Sequence, residues 1–385
     1  MITITEFLDN KPLYYNEIDY TRMPRVYEKI KSELPKVKII HLIGTNGKGT
    51  SGRFLATALH NMGYKTAHYT SPHIIEFNER VWINGENASY ESINIAHSKL
   101  QDILTKEDSD ALSYFEYTTL LAMVLFQGCE YVILEAGLGG EHDATAVFEK
   151  VLTLVTPIDY DHESFLGSSI EEIATTKLNA IQKNAILATQ KDEIVYEIAQ
   201  DIESSNGANV YRVDDLLVYT DIEKINKISE NLSLFSYLKD NLKLSISALK
   251  FLDIDYKVED FNNARLFGRL TKISNNVTVD VGHNPLAANS ILKALEGEKY
   301  ILVYNSYKDK DYKGILTTLK PIIRSVEIID IIDERIESKE LLHRSLNELE
   351  IKYGTFTTVN RNHNYLVFGS FSVVEAFLGR YEVDE

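Results

Sequence analysis

The chain has one cysteine, Cys129, in 385 residues. That excludes an intramolecular disulfide framework and zinc sites built from several thiolates. No apolar run approaches the roughly 18 to 20 residues that a bilayer-spanning helix needs. The opening MITITEFLDN has no basic start, no long apolar stretch and an early acid, so it does not read as a signal peptide. Basic blocks are missing too: 40 Lys and Arg face 57 Asp and Glu, for a net charge of −17. Nucleic acid and anionic membrane are thereby excluded as main partners. The expectation is a cytoplasmic protein. If it handles anions, it must gather positive charge locally, through helix N-termini, single Lys or Arg residues, or bound metal.

What is present is a globular composition in a chain long enough for two or three domains with ample core. Strand-like and helix-like stretches alternate. KVKIIHLIG (36–44) is a short Ile-rich run ending in glycine. The following TSGRFLATALHNMGY puts Phe54, Leu55, Ala58, Leu59 and Met62 on one helical face, with Gly63 as a stop. KTAHYTSPH (65–73) reads as the next strand. After a less regular stretch come the helix YFEYTTLLAMVLFQ, the strands EYVILEAG and VLTLVTPI, and the helix SIEEIATTKLNAIQ. The pattern resumes in VTVDVGH, PLAANSILKALE, KYILVYN, SVEIIDII, YLVFGS and FSVVEAFLG. Such alternation predicts α/β architecture, with parallel sheets covered by helices and ligands at the carboxyl ends of strands. Residues 205 to 265 look polar and irregular by comparison, and the domain boundary is placed near Gly268.

The stretch HLIGTNGKGTSGRF (41–54) raises the functional question. A phosphate-binding loop usually reads G-x-x-x-x-G-K-[ST]. Here Gly47 and Lys48 fit, but Leu42 stands where the first glycine belongs, and the hydroxyl arrives one place late, at Thr50. The strand before and the helix after are the context that turns a glycine run into a phosphate cradle. The plain alternative is a tight turn that needs glycine. YVILEAGLGG delivers Glu135 from a strand into a glycine turn, where a carboxylate can hold Mg²⁺ or simply end a strand. TPIDYDHESFLG places Asp159, Asp161 and His162 at another strand end, and VDVGHNP places Asp280, His283 and Asn284 at a late one, with Pro285 suited to start a helix. Arg269 could reach phosphates or form an ion pair. Most of the 23 tyrosines are expected in packing roles.

Together these motifs resemble the folylpolyglutamate synthase and dihydrofolate synthase family, a branch of the Mur-type ATP-dependent amide ligases. The resemblance runs over most of the chain. It is carried by G-T-N-G-K-G-T (44–50), Thr70-Ser71-Pro72-His73, Phe115-Glu116-Tyr117, L-E-A-G-L-G-G (134–140), Asp143-Ala144-Thr145, Asp161-His162, D-V-G-H-N-P (280–285) and Gly369-Ser370-Phe371. That family's phosphate loop has this altered spacing. The resemblance implies an N-terminal P-loop ATPase domain with a mainly parallel sheet (1–267) and a smaller Rossmann-like C-terminal glutamate-ligase domain (268–385).

By the same resemblance, Asn46, Gly47, Lys48, Gly49 and Thr50 would hold ATP, joined by Asn241, Arg269 and Asp280. Thr50, Ser71, Glu135 and His162 would bind Mg²⁺ at one or two sites. Lys177 matches a lysine that is carbamylated in relatives. Asp19, Tyr20, Thr21, Arg22, Ser113, Tyr114, Phe115, Glu116, His142, Asp143 and Ala144 would surround the pterin-bearing substrate. His283 and Ser370 are candidates for the incoming glutamate. Lys48, Lys177, His162, Asp280 and His283 form the expected catalytic set. The implied reaction is ATP-dependent ligation of L-glutamate to dihydropteroate and to the γ-carboxyl of folates, by a monomer.

Four departures from the family pattern stand out. Glu141 replaces the usual Arg and Ala146 the usual Asn. Lys177 is flanked by Thr-Thr and Leu-Asn instead of sitting in Glu-Lys-Ala-Gly, and Lys308 replaces a frequent His. Two rival readings are a Mur-type ligase of cell-wall synthesis and a nucleotide-dependent regulator with no amide product. The first should carry a further N-terminal domain, and only 43 residues precede the loop.

Overall fold

The computed structural model describes residues 2–11 and 19–381. They form two compact units, one from residues up to Leu234 together with Leu238–Arg265, the other from Phe235–Tyr237 and Leu266 onward.

The first unit is built on eight strands: β1 (Lys38–Ile43), β2 (Thr66–Tyr69), β3 (Val81–Ile83), β4 (Glu86–Asn87), β5 (Tyr131–Glu135), β6 (Leu152–Val155), β7 (Asn184–Leu187) and β8 (Asn209–Arg212). They lie in the order β4-β3-β2-β5-β1-β6-β7-β8. All pairs from β2 through β8 are parallel. β1 is central and buried from Ile39 onward, which is why it reads as a continuous apolar run and not an alternating one. Ile40 and Leu42 pack with Phe54, Leu55 and Leu59 of the helix Lys48–Asn61, while Ile39 joins a cluster with Leu120 and Leu121 of the helix Tyr114–Leu125. Helices therefore cover both faces. Leu42 is in register with Glu135 and Ile43 with Val155, so β1, β5 and β6 release their chains side by side.

Two stretches differ from expectation. The less regular stretch after Pro72 contains an antiparallel edge hairpin of β3 and β4. Asn84 and Gly85 turn it with φ of 47° and 104°, the Asn-Gly signal of a two-residue hairpin. Residues 205–265 are ordered and largely helical, with helices Tyr219–Asn231 and Ser236–Phe251. Their core face is disguised by serines. Ser245 and Ser247 are fully buried, and their hydroxyls donate to the carbonyls of Asn241 (3.0 Å) and Lys243 (2.9 Å) one turn back. A buried hydroxyl satisfied this way packs like a small apolar group while scoring as polar.

The second unit has six strands: β9 (Thr271–Ser274), β10 (Val277–Val279), β11 (Tyr300–Tyr304), β12 (Ile323–Ile328), β13 (Tyr353–Thr355) and β14 (Asn364–Phe368). Their order is β13-β12-β11-β14-β10-β9, parallel except for the β9–β10 pair. Both units are thus α/β with mostly parallel sheets, as the alternation predicts. Among the described residues no helix is long and apolar enough to cross a membrane.

Candidate active site

The loop after β1 is shaped by two glycines. Gly44 has φ +128°, and a Cβ there would sit 2.7 Å from the Thr156 carbonyl oxygen. Gly47 has φ +96° and caps the 14-residue helix Lys48–Asn61 without any side-chain cap. The first-turn N–H groups of that helix therefore remain for an anion, at the positive end of the helix dipole. The Asn241 side chain, on the helix Ser236–Phe251, fills the space a Cβ at Gly47 would need. Lys48 folds back and donates to the carbonyls of Gly44 (3.1 Å) and Thr45 (3.2 Å). The Thr50 hydroxyl is buried with no partner among the described residues.

Neighbouring strand ends bring further groups to this level. Glu135 closes β5, and its carboxylate accepts from the Thr70 hydroxyl and, at 3.3 Å, from the Ser71 N–H. After β6, the Thr45 hydroxyl donates to the Asp159 carbonyl at 2.9 Å and accepts from the Asp159 N–H at 3.1 Å, tying the two loops together. His162 has φ +54° at the start of the short helix Glu163–Leu166, and its ring nitrogen lies 4.0 Å from Asp161. Its side chain is 38% exposed.

Lys177, on the helix Ile170–Leu178, is buried and donates to the Gly44 carbonyl at 3.2 Å. One carbonyl oxygen thus lies within hydrogen-bonding reach of both Lys48 and Lys177. Burial, then the charge of Lys48, pushes the Lys177 amine down to about 7, with Asp161 and Asp143 pulling the other way. The glycine-rich turn after Glu135 rests on the same helix: a Cβ at Gly140 would lie 2.7 Å from the Lys177 Cα. Glu141 donates its N–H to the Thr176 carbonyl (2.9 Å), and its carboxylate accepts from Asn179 (2.8 Å). Two departures from the family pattern therefore meet in one contact.

The residues expected around the pterin-bearing substrate divide into two kinds. Several are consumed internally. The buried Asp143 carboxylate accepts the N–H groups of Gly137, Leu138 and Thr145, each at 2.9 Å, and the Thr145 hydroxyl. Thr145 in turn bonds His41 of β1 at 2.7 Å. Glu116 accepts from the Ser113 N–H and from Arg22 Nε, both at 2.7 Å, and Ser113 accepts the Glu116 N–H. Asp19 accepts from Thr21, and Ala144 is buried. Others present surface: Tyr20 and His142 pair at 4.4 Å with Tyr20 47% exposed, and the Phe115 ring covers Gly137.

In the second unit, Asp280 follows β10 and is buried. Its carboxylate accepts from the N–H groups of Leu270 (2.9 Å) and Gly282 (2.8 Å) and the Tyr237 hydroxyl (3.1 Å). Burial pushes its carboxyl above the ordinary range, against the pull of Arg269. Arg269 donates to the Gly268 carbonyl and lies over the Phe371 ring. His283 bonds the Val281 carbonyl at 3.1 Å. Asn284 and Ser370 cap the helices Pro285–Ala294 and Phe371–Leu378.

The first unit thus brings Gly47, Lys48, Thr50, Ser71, Glu135 and Lys177 to aligned strand ends. Sequence reading overlooked His41 and the buried Lys150, which donates to the Ala146 carbonyl at 2.8 Å. It also overlooked the buried Arg80, whose Nε donates to His73 at 2.7 Å. His41 adjoins the quoted loop, but nothing local marks it as a partner of Thr145, which lies 104 residues away.

No family model matches the chain. A dihydrofolate synthase/folylpolyglutamate synthase of Buchnera aphidicola (subsp. Acyrthosiphon pisum) is 30% identical, covering 97% of this chain and 95% of its own. The crystal structure of Helicobacter pylori folylpolyglutamate synthetase aligns with 38% identity over 98% of this chain and 97% of that one, at a TM-score of 0.79. Escherichia coli FolC in complex with DHPP and ADP aligns at 25% identity, with 97% and 95% coverage and a TM-score of 0.80. With the phosphate loop, the Glu135 turn and the Lys177 helix set on a sheet of the same form, this chain belongs to the dihydrofolate synthase/folylpolyglutamate synthase family.

Proposed function

We propose that this chain is an ATP-dependent ligase that joins L-glutamate to dihydropteroate and to the γ-carboxyl of folates, working in the cytoplasm as a monomer. The observation that carries the reading is the convergence of the uncapped Gly47 helix start, Lys48, Glu135 and Lys177 at adjoining strand ends. A carboxylate is a poor electrophile, so the acid substrate first takes a phosphoryl group as an acyl phosphate. The glutamate amine then attacks the acyl carbon, and the tetrahedral intermediate collapses with loss of phosphate. Phosphoryl transfer depends chiefly on position and charge neutralisation. Asn46, Gly49 and the other N–H groups of the loop would hold the nucleotide phosphates, and Lys48 would exchange its two loop carbonyls for them. Asn241, Arg269 and Asp280 are assigned to the nucleotide, and His283 and Ser370 to glutamate, on the family resemblance.

The residues present fit a divalent cation. A buried Thr50 hydroxyl without a partner and the strand-end carboxylate of Glu135 together make a donor set suited to Mg²⁺, which keeps several waters and takes few protein ligands. Among the described residues no three His, Cys, Asp or Glu side chains gather for a metal, so hydroxyls would have to share the work. Thr50, Ser71, Glu135 and His162 are the proposed ligands; when bound, the ion neutralises developing phosphoryl charge. Lys177 is proposed to react with CO₂ to give a carbamate. Carbamylation needs a neutral amine, which burial supplies near neutral pH. The reaction releases a proton and leaves an anion beside Lys48, which suits a metal site. An assay of ADP release tests the whole reading. Release should require both dihydropteroate and glutamate, and release with nucleotide alone would favour the regulator.

A further inference from the structure

Two arginines approach the start of the helix Tyr114–Leu125, and only one is neutralised. Arg22 donates to the Glu116 carboxylate at 2.7 Å. Arg80 ends the turn Phe77–Arg80 and is only 7% exposed, yet no carboxylate pairs with it among the described residues. Its Nε donates to His73 Nδ1 at 2.7 Å, and its guanidinium lies over the Tyr114 ring at 5.4 Å.

His73 supplies no counter-charge. Its Nδ1 accepts from Arg80 Nε and therefore carries no proton, and an imidazole brings no negative charge in either tautomer. The acids on the same turn are committed elsewhere. Glu79 accepts the N–H groups of Ile74, Ile75 and Glu76, and Glu76 accepts the Tyr90 hydroxyl. The two terminal nitrogens of Arg80 find no acceptor among the described residues and are not sealed in. A largely buried guanidinium without a counter-anion is costly, and an incoming anion relieves that cost.

Its surroundings indicate which anion. Two residues before His73, the Ser71 N–H bonds Glu135, and next to Tyr114 the Phe115 ring covers Gly137 of the turn after Glu135. Arg53, also bonded to a histidine, instead lies over Trp82.

We propose that Arg80 binds the carboxylate of the acid substrate, with His73 and Tyr114 holding its planar fork in place; this rests on the ligase reading and adds the group that recognises the substrate's charged end. A guanidinium fork matches a carboxylate in geometry as well as charge.

The test compares dihydropteroate with its decarboxylated counterpart, titrated by pterin fluorescence into the full chain with ADP present. The wild type should prefer the carboxylate-bearing ligand by roughly 10- to 100-fold, as expected for a hydrogen bond to a charged group. Arg80→Met should bind both ligands alike. A preference that survives in Arg80→Met overturns the assignment. Should that variant fail to fold, Arg80→Lys keeps the charge without the fork and should show a preference reduced several-fold, so an undiminished preference overturns the proposal equally. A wild type that binds neither ligand and does not turn dihydropteroate over tells against the ligase reading itself. A wild type that ligates normally, beside unchanged Arg80 variants, sinks only this inference.

Discussion

Both sheets end their strands in glycine, carboxylate and histidine, but they use these groups in opposite ways. In the second unit the motif largely builds itself: Asp280 is saturated by three donors, and Asn284 and Ser370 cap helices. In the first unit the equivalent level keeps groups in reserve. Gly47 starts a helix without a side-chain cap, the Thr50 hydroxyl has no partner, and Lys177 spends its buried amine on one shared carbonyl. The contrast teaches that a strand-end motif marks where ligands gather, while internal hydrogen-bond satisfaction tells which groups remain for them. Substitutions of the reserved first-unit groups should therefore cost activity with little stability, and those of the saturated second-unit groups should cost stability as well as activity.

The largest effect is expected at Lys48 and Glu135. Lys48→Ala and Glu135→Ala should each lower turnover by about 10³-fold with little change in thermal unfolding, since each acts on phosphoryl charge. Raised Mg²⁺ should restore part of the Glu135→Ala activity and none of that of Lys48→Ala. Equal restoration of both would overturn the division of roles.

Lys177→Ala should lose about 10²-fold in turnover while keeping its fold, with partial rescue by a short carboxylate that replaces the carbamate. A second readout needs no substrate. In CO₂-free buffer the buried amine titrates near 7 when folded and in the ordinary lysine range when unfolded. Between those values the unfolded chain binds more protons, so stability should rise with pH across that window and fall as pH drops through about 7. Lys177→Met should flatten that slope in urea unfolding. An unchanged slope would mean that the amine is not held neutral.

Asp280→Asn should cost about 2–3 kcal/mol of stability, because the amide turns a donor toward N–H or O–H groups that already donate. A variant with full stability and abolished turnover would place Asp280 with the first-unit groups and break the comparison. Ser370→Ala should cost about 1 kcal/mol through the lost helix cap. Its KM for glutamate, measured in parallel, should rise several-fold if the hydroxyl proton, left over by the capping bond, serves the amino acid. An unchanged KM leaves Ser370 as a cap alone.

The sequence by itself determined the strand and helix alternation, the phosphate loop with its shifted hydroxyl, and the strand-end position of Glu135. Each of these is written in a local period or a short glycine spacing, which depends on neighbours in the chain. Only the tertiary structure decided how those groups are used. The helix Ser236–Phe251 read as irregular because its core face carries serines whose hydroxyls bond their own backbone. Asp143 reads as an open substrate ligand until four donors converge on it. Arg22 and Arg80 look alike in sequence, and the partner that separates them, Glu116, lies 94 residues from Arg22. Charge pairing and hydrogen-bond saturation are properties of long-range contacts, so no window of the sequence contains them.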